Sequence, residues 1–203
     1  MRSHEDSWLV ASADELVARH IVRGELGCPV CEARYPVRDG VADFTAGVAQ
    51  AVTPRAGAST EGMAVRAAAL LGLQESGGIV VLAGEWSTAA IEMLEMTEDV
   101  LLLAFDFPRA LRSGGALSLA LIGDVLPLAA GSVRGIALDA AHATPSLLAG
   151  AERALAPGAR LIAPASARLP ASLRELARDD QHWIATAAAP SNVSAPVPIG
   201  IRR

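Results

Sequence analysis

The sequence predicts an α/β fold: a Rossmann-like core with a mostly parallel sheet, preceded by a small β-rich module. After residue 61, short apolar runs alternate with segments of helical period, which is typical of strands joined by crossover helices. Hydrophobic residues make up 52% of the chain and charged residues 19%, which excludes disorder for most of it. Residues 46–60 are mostly small or polar and include proline and glycine, which interrupt helices and strands. We therefore expect a module at 1–45, a linker at 46–60 and an α/β domain at 61–203.

The apolar periodicity places each element of the larger domain in order. In its first half we expect helices at Met63–Leu73 and Ser87–Met96, and strands at Ile79–Ala83 and Val100–Phe105. Pro108 predicts the start of a helix that contains Leu111. In the remaining part we expect strands at Leu117–Ile122, Ile136–Leu138 and Arg160–Ala163, and helices at Pro145–Leu155 and Leu169–Arg178. Trp183–Ala187 and Val197–Ile201 are expected to form a final antiparallel pair.

Charge and hydropathy narrow the class of partner. The formal net charge is −5 and the sequence pI is about 5.4, which argues against nucleic acid or an anionic membrane surface as the main partner. The longest apolar stretch, residues 116–130, is interrupted by Asp124 and Pro127, so no membrane span is predicted. The charged N-terminus does not resemble a signal peptide. We therefore expect a cytoplasmic protein whose partner is another protein, with peripheral docking on a membrane only through protein contacts.

Four segments between residues 61 and 165 carry a family resemblance. They read IVVLAGEWS, LLLAFDFP, GDVLPLAAGSV and AERALAPGARLIAP, in that order along the chain. This order resembles the core of class I S-adenosylmethionine-dependent methyltransferases. The resemblance implies that Asp106, at the end of the second strand, accepts hydrogen bonds from the cofactor ribose. It also implies that Asp124 contacts the adenine and that Gly84 belongs to the cofactor loop.

The cofactor loop departs from that family's pattern. The family has D-x-G-x-G-x-G, whereas the matching positions here are Val81, Ala83, Glu85 and Ser87. Glycine is needed there because the backbone approaches the cofactor closely, and Glu85 would add a carboxylate near the cofactor's own. Trp86 has two interpretations: ordinary packing in the core, or a plug in an emptied cofactor pocket. The loop therefore predicts that S-adenosylmethionine is not bound.

The polar residues near the predicted strand ends leave alternatives open. Asp106 could instead cap a helix at Phe107-Pro108, and Asp124 could be a turn residue after a glycine. His142 and Asp139 are three residues apart and could hydrogen-bond near a methyl acceptor, although a surface loop histidine is the simpler interpretation. The sequence contains no established nucleophile, phosphate-loop or metalloprotease motif, so no catalytic residue is assigned.

The N-terminal stretch GELGCPVCEARYPVRDGVADF, residues 24–44, carries a second resemblance. It is similar to the second half of a Trm112-like zinc-ribbon module, which spans about residues 8–45 here and whose family binds class I methyltransferases. Such a module needs four zinc ligands, but the positions of the first Cys pair match Ala11 and Asp14. Cys28 and Cys31 alone form half a site, which Asp14, His4 or His20 could complete. We expect no zinc and two thiols that pack as small hydrophobes.

The departures from the two family patterns, in the cofactor loop and in the first cysteine pair, remove residues that would contact the cofactor or the zinc ion. The predicted strands and helices around them keep the pattern of the families. The sequence therefore predicts a non-catalytic, methyltransferase-like protein that acts as a structural or protein-binding subunit, without cofactor or metal. The alternative is an active methyltransferase with an atypical loop. In that case Gly84, Asp106 and Asp124 would bind S-adenosylmethionine, and Asp139 or His142 would lie near the acceptor.

Overall fold

The computed structural model describes residues 8–45, 62–73 and 77–187. The predicted linker at 46–60 and the predicted strand Val197–Ile201 lie outside these ranges. Within the described residues, none of the helices has the length and apolar character needed to cross a membrane.

Eleven strands and three α-helices form the described part of the chain. The N-terminal strands are β1 (Val10–Val17), β2 (His20–Gly27), β3 (Arg34–Arg38) and β4 (Val41–Phe44). The next elements are α1 (Met63–Leu71), β5 (Gly78–Ala83), a 3-10 helix (Gly84–Ala89), α2 (Ala90–Met96), β6 (Val100–Phe105) and β7 (Leu117–Ile122). The chain continues with β8 (Val133–Ala137), α3 (Pro145–Ala154), β9 (Leu155–Pro164), β10 (Leu173–Arg178) and β11 (His182–Ala187).

All eleven strands belong to one mixed sheet, in the order β1-β2-β3-β4-β7-β6-β5-β8-β9-β11-β10. The central strands from β4 to β9 pair in parallel, and the strands at both ends of the sheet pair antiparallel. The apolar runs Gly78–Ala83 and Val100–Phe105 form neighbouring central strands, and residues 80–83 of the first are buried on both faces, as expected for a parallel strand. The predicted Rossmann-like core with a largely parallel sheet is thus confirmed.

The N-terminal strands form an antiparallel meander that continues the central sheet. Strand β4 pairs in parallel with β7, with Val41 opposite Leu119 and Phe44 opposite Ile122. The Tyr35 and Phe44 rings lie 4.8 Å apart between centroids and reinforce the meander beside this junction. The edge of the α/β sheet is therefore covered by strands of the same chain.

Two apolar clusters lie on opposite faces of the sheet. One is formed with α3 and includes Leu147, Leu148, Phe105, Ile136 and Trp183 among its buried members. The other lies beneath α1 and α2 and includes Ala67, Leu82, Trp86, Met93 and Leu102. Small alanines line many of these contacts, so the helices approach the sheet with few aromatic side chains between them.

Two predicted helices are wrong. Residues 107–116 after Pro108 form turns and loop, although Leu111 still packs against the cluster beneath α1 and α2. The stretch Leu169–Arg178 contains strand β10 in place of a helix, because β11 offers it a free edge of backbone groups. Strand β11 does pair antiparallel, but its partners are β9 and β10. In Leu173–Arg178, long-range pairing outweighs local propensity.

Candidate functional site

The sheet has a topological switch point at β5, which pairs with β6 on one side and with β8 on the other. In open α/β sheets, ligands bind in the crevice outside the carboxyl ends of the strands at such a point. Here the crevice would lie between the segment after β5, which begins at Gly84, and the loop after β8, which begins at Leu138. The polar side chains of this region therefore decide what can bind there.

Asp139 joins the two segments that flank the crevice. Its carboxylate Oδ2 accepts a hydrogen bond from the backbone N–H of Glu85 at 2.9 Å. Gly84 has φ +60°, and a Cβ at that position would overlap the same carboxylate. Glycine is thus required at residue 84 both for the left-handed backbone and for the close approach of Asp139. Asp139 therefore links the two flanking segments at the base of the crevice.

His142 connects Asp139 to the end of β6. Its Nδ1 lies 2.6 Å from Asp139 Oδ1, and its Nε2 lies 2.8 Å from Asp106 Oδ2. Ionised carboxylates only accept hydrogen bonds, so both ring nitrogens donate and the imidazole carries a positive charge. Burial works against this charge, but the hydrogen bonds to Asp106 and Asp139 outweigh burial and raise the pKa of His142 to about 9. The side chain is 5% exposed, so the ion cluster is almost fully removed from solvent.

The two carboxylates have further partners on the backbone. Burial would raise the pKa of Asp139, but the bonds from His142 and from the Glu85 backbone lower it below its usual value. Asp106 has φ +48° and accepts a long bond from the backbone N–H of Ile122 at 3.4 Å. We call these three residues, Asp106, Asp139 and His142, the carboxylate–histidine bridge. It ties together the carboxyl ends of β6, β7 and β8 and the segment that follows β5.

These contacts correct two expectations. Asp106 caps no helix, because none forms after Pro108, and its carboxylate bonds to His142 instead. His142 is buried, so the interpretation as a surface loop histidine is wrong. The hydrogen bond that the three-residue spacing allows between Asp139 and His142 is present. The bridge across β5 was missed, although an acid at the end of β6 and the D-x-x-H spacing after β8 were both visible in the sequence.

The other predicted cofactor-site residues are dispersed. Asp124 is exposed in the bend after β7, and Ser146 donates to its backbone carbonyl at 2.7 Å, which agrees with the turn interpretation. Glu85 is exposed, so its side chain does not fill the crevice. Trp86 belongs to the apolar cluster beneath α1 and α2, and its ring contacts the His182 ring edge-on at 5.2 Å. The core interpretation of Trp86 is therefore the one that its packing supports.

A cavity of about 390 Å³ lies between the two segments that Asp139 joins, at the carboxyl ends of β5, β8 and β9. Its lining includes Arg66, Glu85, Trp86, Asp139 and His182. The guanidinium of Arg66 already bonds to Gln181 at 3.1 Å and pairs with Asp179 at 3.3 Å. Burial and the charge of Arg66 lower the pKa of His182, so the cavity wall holds a neutral imidazole near neutral pH.

The predicted half-site for a metal lies in the turn between β2 and β3. Cys28 is buried and Cys31 is exposed. Asp14 is exposed on β1, and Nε2 of His20 donates to the backbone carbonyl of Gly115 at 3.0 Å. His4 lies outside the described residues. Within residues 8–45, 62–73 and 77–187, no three side chains of ligand type come together in a way that could hold a metal ion.

Comparisons with known proteins find similarity at the level of structure. No protein-family model and no curated protein matches the chain. One similar structure is a complex between the Haloferax volcanii Trm112 methyltransferase activator and its methyltransferase, with 27% identity, a TM-score of 0.37 and coverage of 51% of this chain and 54% of that chain. The chain thus spans about half the length of this relative.

Two further similar structures cover more of the chain. An S-adenosylmethionine-dependent methyltransferase of Methanococcus maripaludis has 11% identity and a TM-score of 0.45, with coverage of 64% of this chain and 85% of that one. The antibiotic-resistance methyltransferase Kmr has 17% identity and a TM-score of 0.41, with coverage of 67% and 97%. The fold is of Rossmann type, with a mixed, largely parallel central sheet. Since all these TM-scores lie below 0.5, the function proposed below is derived from this chain's own contacts.

Proposed function

We propose that the chain is a non-catalytic, methyltransferase-like protein that acts as a structural or protein-binding subunit of a larger complex. The observation that carries this proposal is the bridge of side chains across the crevice at the switch point. Asp139 bonds to the backbone of Glu85, and His142 spans from Asp139 to Asp106 across the end of β5. A nucleotide cofactor would have to enter between the same elements.

The contacts within the carboxylate–histidine bridge oppose cofactor binding energetically. Separating a buried ion pair costs about 3–5 kcal/mol, because each charge is left without a partner. A ligand that opened the crevice would have to offset this cost, which weakens its binding by roughly two to four powers of ten. Asp106, the residue that the resemblance assigns to the ribose, is already engaged by His142 at 2.8 Å. The residues present therefore do not fit S-adenosylmethionine.

The N-terminal region supports the structural part of the proposal. We infer that residues 1–45 are a Trm112-like module whose partner is the α/β domain of the same chain, residues 61–203, with 46–60 as the linker. The parallel pairing of β4 with β7 covers an otherwise open sheet edge. The module needs no zinc for this role, because its hydrogen-bonded strands and the packing around Val37 and Tyr35 hold it in place. We therefore assign no metal to Cys28 and Cys31.

The proposal is tested by titrating the full chain with S-adenosylmethionine and S-adenosylhomocysteine. Calorimetry should detect no binding at millimolar ligand, and the melting temperature should not change. A ligand at 100 times its Kd would add about 2.7 kcal/mol, or roughly 5–11 °C for a chain of this size. A double variant, Asp139→Ala with His142→Ala, serves as a comparison in which the crevice is opened. Saturable binding to the unaltered chain would contradict the proposal.

One observation favours the alternative, an active methyltransferase with an atypical loop. The cavity of about 390 Å³ lies at the carboxyl ends of β5, β8 and β9, where open α/β sheets bind ligands. Under this alternative Gly84, Asp106 and Asp124 contact the cofactor, and the acceptor enters the cavity beside Asp139. The two functions are separated by the titration above, since the alternative requires binding of S-adenosylmethionine by the unaltered chain.

A further inference from the structure

Among the described residues, no helix covers one face of the sheet over β4, β6 and β7. These strands are parallel to one another, and parallel sheets are normally covered on both faces. On the face where α3 packs against β9, the connections that follow β6 and β7, residues 106–116 and 123–132, contain no helix. As a result, Leu101 of β6 is 54% exposed, and Leu103 is only half-buried. An apolar strip of parallel sheet is thus left accessible.

The meander and this strip enclose a cleft of about 380 Å³. Strand β2 contributes Ile21 and Leu26 to its wall, and the sheet contributes Phe44, Leu103 and Phe105. The hydrogen bond from His20 to the carbonyl of Gly115 fixes the β1–β2 turn beside the cleft. The cleft therefore has an apolar lining, and its two walls, β2 and the central sheet, are held in place by contacts within the chain.

Of the described residues that line the cleft, Arg19 and His20 carry the charged or titratable side chains, and none has a carboxylate. This contrasts with the net charge of −5 of the whole chain. An occupant with negative charges beside its apolar surface would thus be complementary to the cleft. A basic occupant would be repelled by the guanidinium of Arg19 at the cleft.

We propose that this cleft binds an amphipathic helix of another protein, with an apolar stripe against Leu103 and Phe44 and acidic residues beside Arg19. A helix is the element that ordinarily covers parallel strands, and its apolar residues at i, i+3, i+4 and i+7 form a stripe that suits such a cleft. The inference deepens the proposed function, on which it rests, by naming the class of partner that a binding subunit of this shape accepts.

The test uses the full chain and two labelled synthetic helices of about five turns. Both carry the same leucine stripe, and they differ only in flanking glutamates or flanking lysines. In fluorescence anisotropy at low salt, the glutamate helix should bind at least tenfold more tightly than the lysine helix. Leu103→Asp should weaken that binding tenfold or more, and Arg19→Glu should remove the preference for glutamate. Ile91→Asp, at an exposed position of α2 on the other face, is the matched control and should change nothing.

Several results would overturn the inference. Equal binding of both helices, or binding that survives Leu103→Asp, would show that the cleft does not select an acidic helix. Self-association that Leu103→Asp abolishes would identify a second copy of the chain as the occupant. If Leu103→Asp fails to fold, Ser118→Glu, at an exposed position lining the cleft, replaces it. Binding of S-adenosylmethionine would refute the proposed function without affecting the result at the cleft, so the two failures are distinguishable.

Discussion

The charge on His142 should make the stability of the protein depend on pH in a defined window. The pKa of this histidine is raised from 6.5 to about 9 in the folded chain, because two carboxylates bond to its ring. A group whose folded pKa is raised stabilises the fold fully below its unfolded pKa and loses that contribution as pH rises through its folded pKa. The contribution of His142 is therefore complete below about pH 6.5 and is lost as pH approaches and passes 9.

The size of this effect follows from the two pKa values. A rise from 6.5 to about 9 corresponds to about 3 kcal/mol of unfolding free energy. For a chain of this length that amounts to roughly 6–12 °C in melting temperature. Urea unfolding at closely spaced pH values from 6 to 10 measures it directly. His142→Gln should be less stable by about 3–5 kcal/mol near pH 6.5, and it should lose the decline between pH 6.5 and 9.

A matched control separates this cluster from other histidines. The pKa of His182 is lowered by burial and by Arg66, so its effect on stability falls at and below its unfolded pKa of about 6.5. His182→Gln should therefore keep the decline between pH 6.5 and 9. The same decline in His142→Gln, or a flat profile in the unaltered chain, would refute the assignment of a buried imidazolium.

The remaining predictions concern the glycine before Glu85, the second carboxylate of the bridge and the cysteine pair. Gly84→Ala should destabilise the fold by about 3 kcal/mol or more in urea unfolding, because the new Cβ displaces the Asp139 carboxylate and the alanine is held in a left-handed conformation. The control is Gly62→Ala, at a residue with φ +72° and open space around it, which should cost only about 1 kcal/mol. Equal losses would contradict the close approach. Asp106→Asn should lower the pKa of the bridging histidine by about 1–3, measured by NMR titration, and an unchanged value would refute the ion pair. Elemental analysis should find no stoichiometric zinc, and a chelator should not change the melting temperature; one zinc per chain would show that Cys28 and Cys31 belong to a complete site.

Much of the fold could be predicted because the central strands are strongly apolar, and β5 is buried on both faces over residues 80–83. A strand such as Ile79–Ala83 reads as a continuous apolar run, and its neighbours are separated by segments of helical period. Segments at the edge of the sheet carry a weaker signal. In Leu173–Arg178 only the first residue is buried, so helical spacing and strand alternation compete without a decisive apolar pattern. The free edge of β11, which settles the outcome, is formed by residues further along the chain.

The site was harder to predict because it depends on strand order. Asp106, Gly84 and Asp139 follow three different strands, and they meet only because β6, β5 and β8 are adjacent in the sheet. The sequence shows that the loop departs from the family pattern, and it indicates Glu85 and Trp86 as the side chains that obstruct the crevice. The side chains that bridge it are Asp139 and His142, from the loop after β8. The family resemblance places Gly84 in a cofactor loop, whereas its contacts connect it to Asp139.

The most direct test of the bridged crevice is a crystal structure of the full chain soaked with S-adenosylhomocysteine at millimolar concentration. We expect no density for the ligand between the segments after β5 and β8. The Asp139 carboxylate should remain about 2.9 Å from the Glu85 nitrogen, and His142 should still bridge the two aspartates. An adenosyl group seated beside residues 83–87, with Asp106 turned from His142 to the ribose, would contradict the account.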